Sequence, residues 1–121
     1  MRAAVATGVL AAALTGCASA PLGPKLDVSW EQVEPLIAPF TYRMLIVEQC
    51  DPVSGVPKSF DFVLAEAGAP AQVVSKVADE ISRLRTDNSN NPDEYVCTPE
   101  MFEMSEAAAA EAQAAWDELK G

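Results

Sequence analysis

Three cysteines, Cys17, Cys50 and Cys97, are the residues of this chain with the most distinctive chemistry. A cysteine thiolate can be alkylated, can bind a metal ion or can form a disulfide, depending on its neighbours. The chain has no histidine, so the commonest general base and a common metal ligand are both missing. The cysteines lack the C-x-x-C spacing of redox and zinc sites, and common catalytic motifs are absent. We therefore predict that the chain is not an enzyme and binds no cofactor.

Two other groups of side chains have spacings that suit a metal ion. Met101 and Met104 form an M-x-x-M pair, whose thioethers would suit Cu(I) in an oxidising compartment. On a helical wheel, however, Met101 falls on the core face and Met104 at its edge, which favours packing in the core. The polar run from Asp87 to Asp93 alternates like the first ligands of a calcium loop, but Pro92 replaces the required glycine and Thr98 the bidentate glutamate. We predict core methionines and a solvated loop.

The first residues of the chain have the features of an export signal. Arg2 supplies a positive charge, and residues 3–14 are apolar except at Thr7 and Gly8. This stretch is too short for a bilayer-spanning helix, which needs about 20 apolar residues. Its length and its flanking charge are typical of a signal peptide, for which we predict residues 1–16.

The signal peptide ends in an aliphatic residue, two small residues and a cysteine, Leu14-Thr15-Gly16-Cys17. This motif resembles the lipobox of bacterial lipoproteins, and the resemblance covers only the leader and Cys17. It implies that the Cys17 sulfur receives a diacylglycerol, that a peptidase cuts before it, and that the mature protein is lipid-anchored in the cell envelope. Because Ala18 rather than aspartate follows, it implies the outer membrane, facing the periplasm, if the source is Gram-negative. The alternative is an ordinary secretory signal cut after residues 18–20, which would place Pro21 after the cut.

Lipidation of Cys17 would leave Cys50 and Cys97 as a pair. Two cysteines allow one connectivity, and a disulfide is the usual state of such a pair in an exported domain. Closing a loop of nearly fifty residues stabilises a domain by about 4 kcal/mol in the chain-entropy account. This value is comparable with the entire stability of a small domain. We predict a structural disulfide rather than a redox or metal-binding pair.

The composition restricts both the size of the core and the class of partner. Acidic residues outnumber basic residues 18 to 8, and the formal net charge is −10. Such a surface repels nucleic acid and anionic lipid head groups, so we predict no nucleic-acid partner. Hydrophobic residues make up 50% of the chain, which argues against disorder. Much of that half is alanine, and the core is therefore expected to be small.

Helical signals begin after a short flexible tether, for which we predict residues 17–27. Ser29 starts an S-x-x-Q capping box, and Val28 and Val33 have the spacing of a hydrophobic staple. An apolar stripe then runs to residue 47, with a kink or a restart expected at Pro35 and Pro39. A strand over residues 42–47 is the alternative, but continuation of the stripe favours a helix.

Three further helical segments are predicted in residues 28–121. A short helix ends at Gly68, and a third one starts near Pro70 and ends before a polar loop over residues 86–93. Thr98 caps an alanine-rich last helix that contains Trp116. The chain is therefore predicted to be all-α, a small disulfide-pinned bundle of about four helical segments.

These features favour a membrane-tethered, non-enzymatic module that binds another envelope protein. The expectation depends on a small acidic bundle, a lipid anchor and the lack of a catalytic motif. The alternative is a small periplasmic carrier that binds a ligand or a metal ion, either in a cleft between helices or at the Met101 and Met104 pair.

Overall fold

The computed structural model of the chain describes residues 25–91, 93 and 96–121. The predicted all-α bundle of four helical segments is confirmed, and these residues contain no strand. A short 3₁₀ helix, Pro52–Ser54, follows the first of the four α-helices. The α-helices are α1 (Trp30–Cys50), α2 (Phe60–Ala67), α3 (Ala71–Asn90) and α4 (Pro99–Lys120). Cys17 and the predicted signal peptide lie outside the described residues.

Helix α1 begins at the predicted capping box. The backbone N–H of Gln32 donates to Ser29 Oγ at 3.3 Å, and the N–H of Ser29 donates to Gln32 Oε1 at 2.9 Å. Val28 and Val33, the predicted hydrophobic staple, are both buried in the core. Because each of these groups lies within a few residues of the others, local sequence alone is enough to start the helix here.

The middle of α1 contains Pro35 and Pro39, yet the helix is continuous. Of the kink or restart that the sequence led us to expect at these prolines, the restart is therefore not present. Each proline removes one backbone donor from the helix. Since α1 packs against α3 and also against α4, apolar contacts with two neighbours hold it together across both prolines.

The C-terminal half of α1 is surrounded by other elements. Four consecutive residues, Met44, Leu45, Ile46 and Val47, are each less than 5% exposed. Consecutive helical residues point about 100° apart, so burial of four in a row means that neighbours cover most of the circumference. The predicted single stripe was too narrow, and α1 is the central helix of the bundle.

The turn between α2 and α3 requires a glycine. Gly68 ends α2 in the left-handed region at φ 85°, and a Cβ at this position would lie 2.7 Å from the Cβ of Lys25. The N–H of Leu26 donates to the carbonyl of Gly68 at 3.1 Å, and Leu26 packs against the core. Leu26, which the prediction assigned to the tether, thus contacts the bundle.

Helix α3 is longer than predicted. It continues to Asn90, whereas the sequence led us to expect a polar loop from Thr86 onward. Asn88 takes the next position of the apolar stripe and is 9% exposed. The side-chain amide of Asn91 donates to the carbonyl of Asp87 at 3.0 Å. The prediction of a loop was wrong because it was based on polar composition. The last turn of α3 is stabilised by burial of Asn88 and by this hydrogen bond.

Helix α4 is fixed to the bundle at both ends. At its start, Thr98 Oγ1 accepts a hydrogen bond from the N–H of Met101 at 3.1 Å, as the predicted N-cap requires. Near its end, the ring of Trp116 meets the ring of Phe60 edge-on, with centroids 5.5 Å apart, and Phe60 packs on Phe40 at 4.9 Å. These three aromatic rings join α4, α2 and α1, and such pairs stabilise beyond the area that they bury.

The bundle has two chemically different ends. At the entry end, Leu26 meets Gly68 and the Lys76 ammonium lies 4.5 Å from the ring centroid of Trp30. At the disulfide end, α1 finishes at Cys50 and α4 starts just after Cys97. The two ends are about 30 Å apart, which is the length of a 21-residue helix such as α1.

The predicted disulfide between Cys50 and Cys97 is present, with the two Cα atoms 5.5 Å apart. The cysteines are separated by 47 positions, and the loop between them contains α2 and α3. The bond therefore joins the central helix directly to α4, whose buried face consists largely of small residues. Trp116, the one large residue fully buried in α4, lies toward the opposite end of that helix.

We expect Cys50→Ser to lower the free energy of unfolding by about 4 kcal/mol, the loop-entropy contribution of the bond. Because a domain of this size loses roughly 4–8 °C per kcal/mol, its melting temperature should fall by tens of degrees. Circular dichroism melting curves measure the effect. The parent protein treated with reductant is the matched control and should melt like the variant. A variant that melts with the oxidised parent would contradict the prediction.

Candidate functional site

A groove runs between α1 and α4 near the disulfide end, with a volume of about 330 Å³. Ile46 lies at its base and is 1% exposed, whereas Tyr42 and Met104 stand at its walls and are 38% and 68% exposed. Most of this surface is apolar. We call it the α1–α4 groove, and it is lined by Pro39, Tyr42, Ile46, Met101, Met104, Ser105 and Ala108.

Small side chains explain why space remains between two packed helices. Four consecutive alanines, residues 107–110, occupy the middle of α4. Of these four, Ala108 lines the groove, and its methyl group is too short to fill the gap between helix axes that are typically 8–10 Å apart. Pro39 and Ala108 also line a shallower continuation of about 250 Å³, together with Pro35 and Glu111. The groove therefore extends from Met101 toward the entry end along three turns of α4.

Arg43 holds the first turns of α4 against α1. Its Nη1 donates to the carbonyl of Phe102 at 3.4 Å and to Ser105 Oγ at 3.3 Å. The guanidinium carbon lies 5.0 Å from the ring centroid of Phe102, a distance that suits a cation–π contact. Ser105 Oγ itself donates to the Phe102 carbonyl at 2.9 Å. Arg43 thus holds α4 beside α1 at the groove. Its positive charge interacts with groups of the bundle itself, at Phe102 and Ser105.

Helix α4 is the most acidic element of the bundle. It carries six acidic residues, Glu100, Glu103, Glu106, Glu111, Asp117 and Glu118, and one basic residue, Lys120. Among the described residues, only Asp117 of these six forms an ion pair, and its partner is Lys120. Glu100 and Glu111 lie four and seven positions from Met104, which places all three along the same side of the helix. The edge of the groove on α4 is therefore negatively charged.

The methionine pair lies in the groove rather than in the core. Met101 is half-buried and Met104 is 68% exposed, although both line the same space. The prediction of core packing was wrong for Met104, because no bulky side chain of α1 covers this edge of α4. In the described part of the chain, histidine, cysteine, aspartate and glutamate form no cluster of three that would hold a metal ion.

The polar run from Asp87 to Asp93 does not form the loop that a calcium site requires. Its first half belongs to α3, which ends at Asn90, so the alternating side chains point in different directions around a helix. Pro92 lies outside the described residues.

A perturbed carboxyl on α3 belongs to a surface ion pair. The Arg83 guanidinium donates to the Glu80 carboxylate, which holds the pKa of Glu80 below its ordinary value. Because this pKa is lowered in the folded state, the pair stabilises above the ordinary carboxyl pKa and the contribution is lost as the pH falls through the lowered value. Both side chains are partly exposed, so the contribution is small.

Two buried polar groups were missed by the sequence analysis. Thr41 Oγ1 and Asn88 Oδ1 have no hydrogen-bond partner within the described residues. An unpaired buried polar atom costs about 1–3 kcal/mol. Extending the apolar stripe of α3 by one turn would have found Asn88, and Thr41, four positions after Ile37 and three before Met44, lies at the edge of the predicted stripe of α1.

Comparison of the chain with known protein families, curated proteins and solved structures finds no match. In the described residues, none of the helices combines the length and the apolar character needed to cross a membrane.

We expect Arg43→Met to lower the free energy of unfolding by about 1 kcal/mol, because it removes two long hydrogen bonds and a cation–π contact but keeps the apolar stem. Chemical denaturation measures the change. Arg83→Met is the matched control, since it removes an arginine whose ion pair is exposed and lies within one helix, and it should change stability less than Arg43→Met does. Equal effects of the two variants would show that Arg43 does not hold α4.

Proposed function

We propose that the chain is an exported lipoprotein, anchored to a membrane of the cell envelope through Cys17, that binds another envelope protein in the α1–α4 groove. The lipobox resemblance of residues 14–17 supports the anchor. The disulfide between Cys50 and Cys97 supports an oxidising compartment, because such bonds are rare in the cytosol.

The observation that carries the interaction role is the exposure of large apolar side chains at the groove. Met104 and Tyr42 are 68% and 38% exposed and flank the same apolar surface. Tyrosine and methionine are enriched in the cores of protein interfaces, and the flexible thioether of methionine adapts to different partners. A protein partner would cover these side chains.

The position of the groove relative to the proposed anchor also supports this role. The chain enters the bundle at Leu26, whose N–H is bonded to Gly68 at the entry end. Nine residue steps separate Cys17 from Leu26 and span at most roughly 30 Å. The groove lies toward the disulfide end, so an anchor at Cys17 that holds the entry end near the membrane would leave it accessible to a partner.

A second candidate function is a carrier for Cu(I) or for a small apolar ligand. One observation favours it, namely that Met101 and Met104 line the same space of about 330 Å³. Two thioethers are a suitable but incomplete ligand set for Cu(I). The open walls of the groove argue against a small ligand, because sites for such molecules usually bury most of the ligand surface.

We expect Cys17→Ser to abolish membrane association, because the serine hydroxyl does not accept the lipid that the proposed maturation adds to the sulfur. Cell fractionation with a carbonate wash measures the distribution of the protein. Cys50→Ser serves as the control, since it also removes a thiol and should leave the anchor in place. A Cys17→Ser protein that stays with washed membranes would overturn the lipoprotein proposal.

We expect a photocrosslinking amino acid at position 104 to trap a specific envelope protein in intact cells, because the proposed partner covers this side chain. The same amino acid at Ala110, an exposed position on the other side of α4, is the control and should trap little. Mass spectrometry identifies the trapped protein and its crosslinked segment. The absence of any macromolecular adduct at position 104 would favour the carrier.

A further inference from the structure

We infer that the α1–α4 groove takes one class of partner, a basic amphipathic helix that lays its apolar stripe between Tyr42 and Met104 and sets lysine or arginine side chains against the acidic edge of α4. This inference rests on the proposed function and specifies the chemistry of the partner. Its support comes from the shape of the groove, the charges around it and the poor fit of other occupants.

The shape of the groove suits a helix. Its two parts share Pro39 and Ala108, so they adjoin and together follow α4 from Met101 to Ala112. Eleven residue steps on α4 correspond to about 17 Å, the length of roughly three helical turns of a partner. An amphipathic helix binds in such a groove through apolar residues spaced three and four apart. The exposed thioether of Met104 can adapt to their shapes.

The charges around the groove favour a cationic partner. Glu111 lines the shallower part, and no lysine or arginine lines either part among the described residues. Glu100 lies one turn before Met104 on the same edge and has no ion pair in that part of the chain. Arg43, the nearest cation on α1, already contacts Phe102 and Ser105. The negative charge of this edge is therefore left uncompensated by the bundle itself.

The same features disfavour a second copy of the chain. A symmetric pair would bring two grooves together, and with them two acidic edges that repel each other. Net charge in α4 alone is −5, from six acidic residues and one lysine. A basic helix, in contrast, is attracted by the acidic side chains of α4, and this attraction also speeds association.

A binding assay with defined peptides tests the inference. The full chain is purified and placed in phosphatidylcholine nanodiscs, or kept in plain buffer if it proves not to be anchored, and empty nanodiscs give the background. The probe is a fluorescent peptide of about fifteen residues with a leucine stripe flanked by lysines. One comparison peptide carries glutamate in place of each lysine, and another contains the same residues in scrambled order. Fluorescence anisotropy measures the dissociation constants.

The lysine peptide should bind, and binding should tighten several-fold when the salt is lowered from about 150 mM to about 30 mM. The glutamate and scrambled peptides should bind at least about tenfold more weakly. Equal binding of the glutamate peptide would overturn the charge assignment, and equal binding of the scrambled peptide would overturn the helix. Failure of the lysine peptide to bind would overturn the inference as a whole.

Two matched pairs of variants locate the binding site. Met104→Glu should weaken binding by about tenfold, although it adds a negative charge, because it removes the apolar wall. Ala110→Glu adds the same charge on the other side of α4 and should not weaken binding. Similarly, Glu111→Gln should weaken binding more than Glu106→Gln. If the members of each pair behave alike, the peptide binds the acidic surface in general, and the groove is not the site.

The photocrosslinking experiment separates this inference from the proposed function. A trapped segment that is basic and amphipathic, with apolar residues at helical spacing, supports both. A trapped segment that is acidic or lacks this spacing keeps the interaction role but overturns the partner class. Concentration-dependent dimerisation that Met104→Glu abolishes, measured by sedimentation, would overturn the inference in favour of a second copy.

Discussion

The Cys50–Cys97 disulfide joins the end of the central helix to the start of α4, and the arrangement of the other parts depends on it. Helix α4 has few large side chains with which to hold its own position, and its one fully buried large residue, Trp116, acts near the opposite end. The covalent bond at one end and the aromatic contacts of Trp116 with Phe60 at the other fix α4 against α1. A helix fixed at both ends can leave its middle poorly filled.

The α1–α4 groove lies at this poorly filled middle part of α4. If packing in the middle of α4 had to hold this helix against α1, larger apolar side chains would be needed at positions such as Ala108. These side chains would close the space beside Pro39. Arg43 adds a polar contact to Phe102 beside this space without filling it. The protein thus combines a helix that is fixed at both ends with a small open apolar surface beside the middle of that helix.

Local features of this fold were predictable from sequence, whereas features that depend on a neighbouring helix were not. The capping residues Ser29 and Thr98 act on groups within three positions, so the residue types alone indicate them. The disulfide was predictable because assigning Cys17 to the lipobox leaves two cysteines, which allow one pairing. In contrast, the burial of Asn88 and the exposure of Met104 depend on what the adjacent helix places opposite them. Periodicity reports which side chains share a face of a helix, but it contains no information on which neighbour covers that face.

The docking of Leu26 on Gly68 has a mechanical consequence. A partner held in the groove would pull on α4, while an anchored N-terminal segment would pull on the entry end at Leu26. Because α1 and α4 lie side by side, this force would act as shear along their shared interface. Shear loads all contacts of the interface at once, whereas a peeling force would break them one helical turn at a time. The covalent link at Cys97 would keep the loaded start of α4 from lifting away from α1. With such a load in place, the bundle would be pulled along its long axis rather than across it.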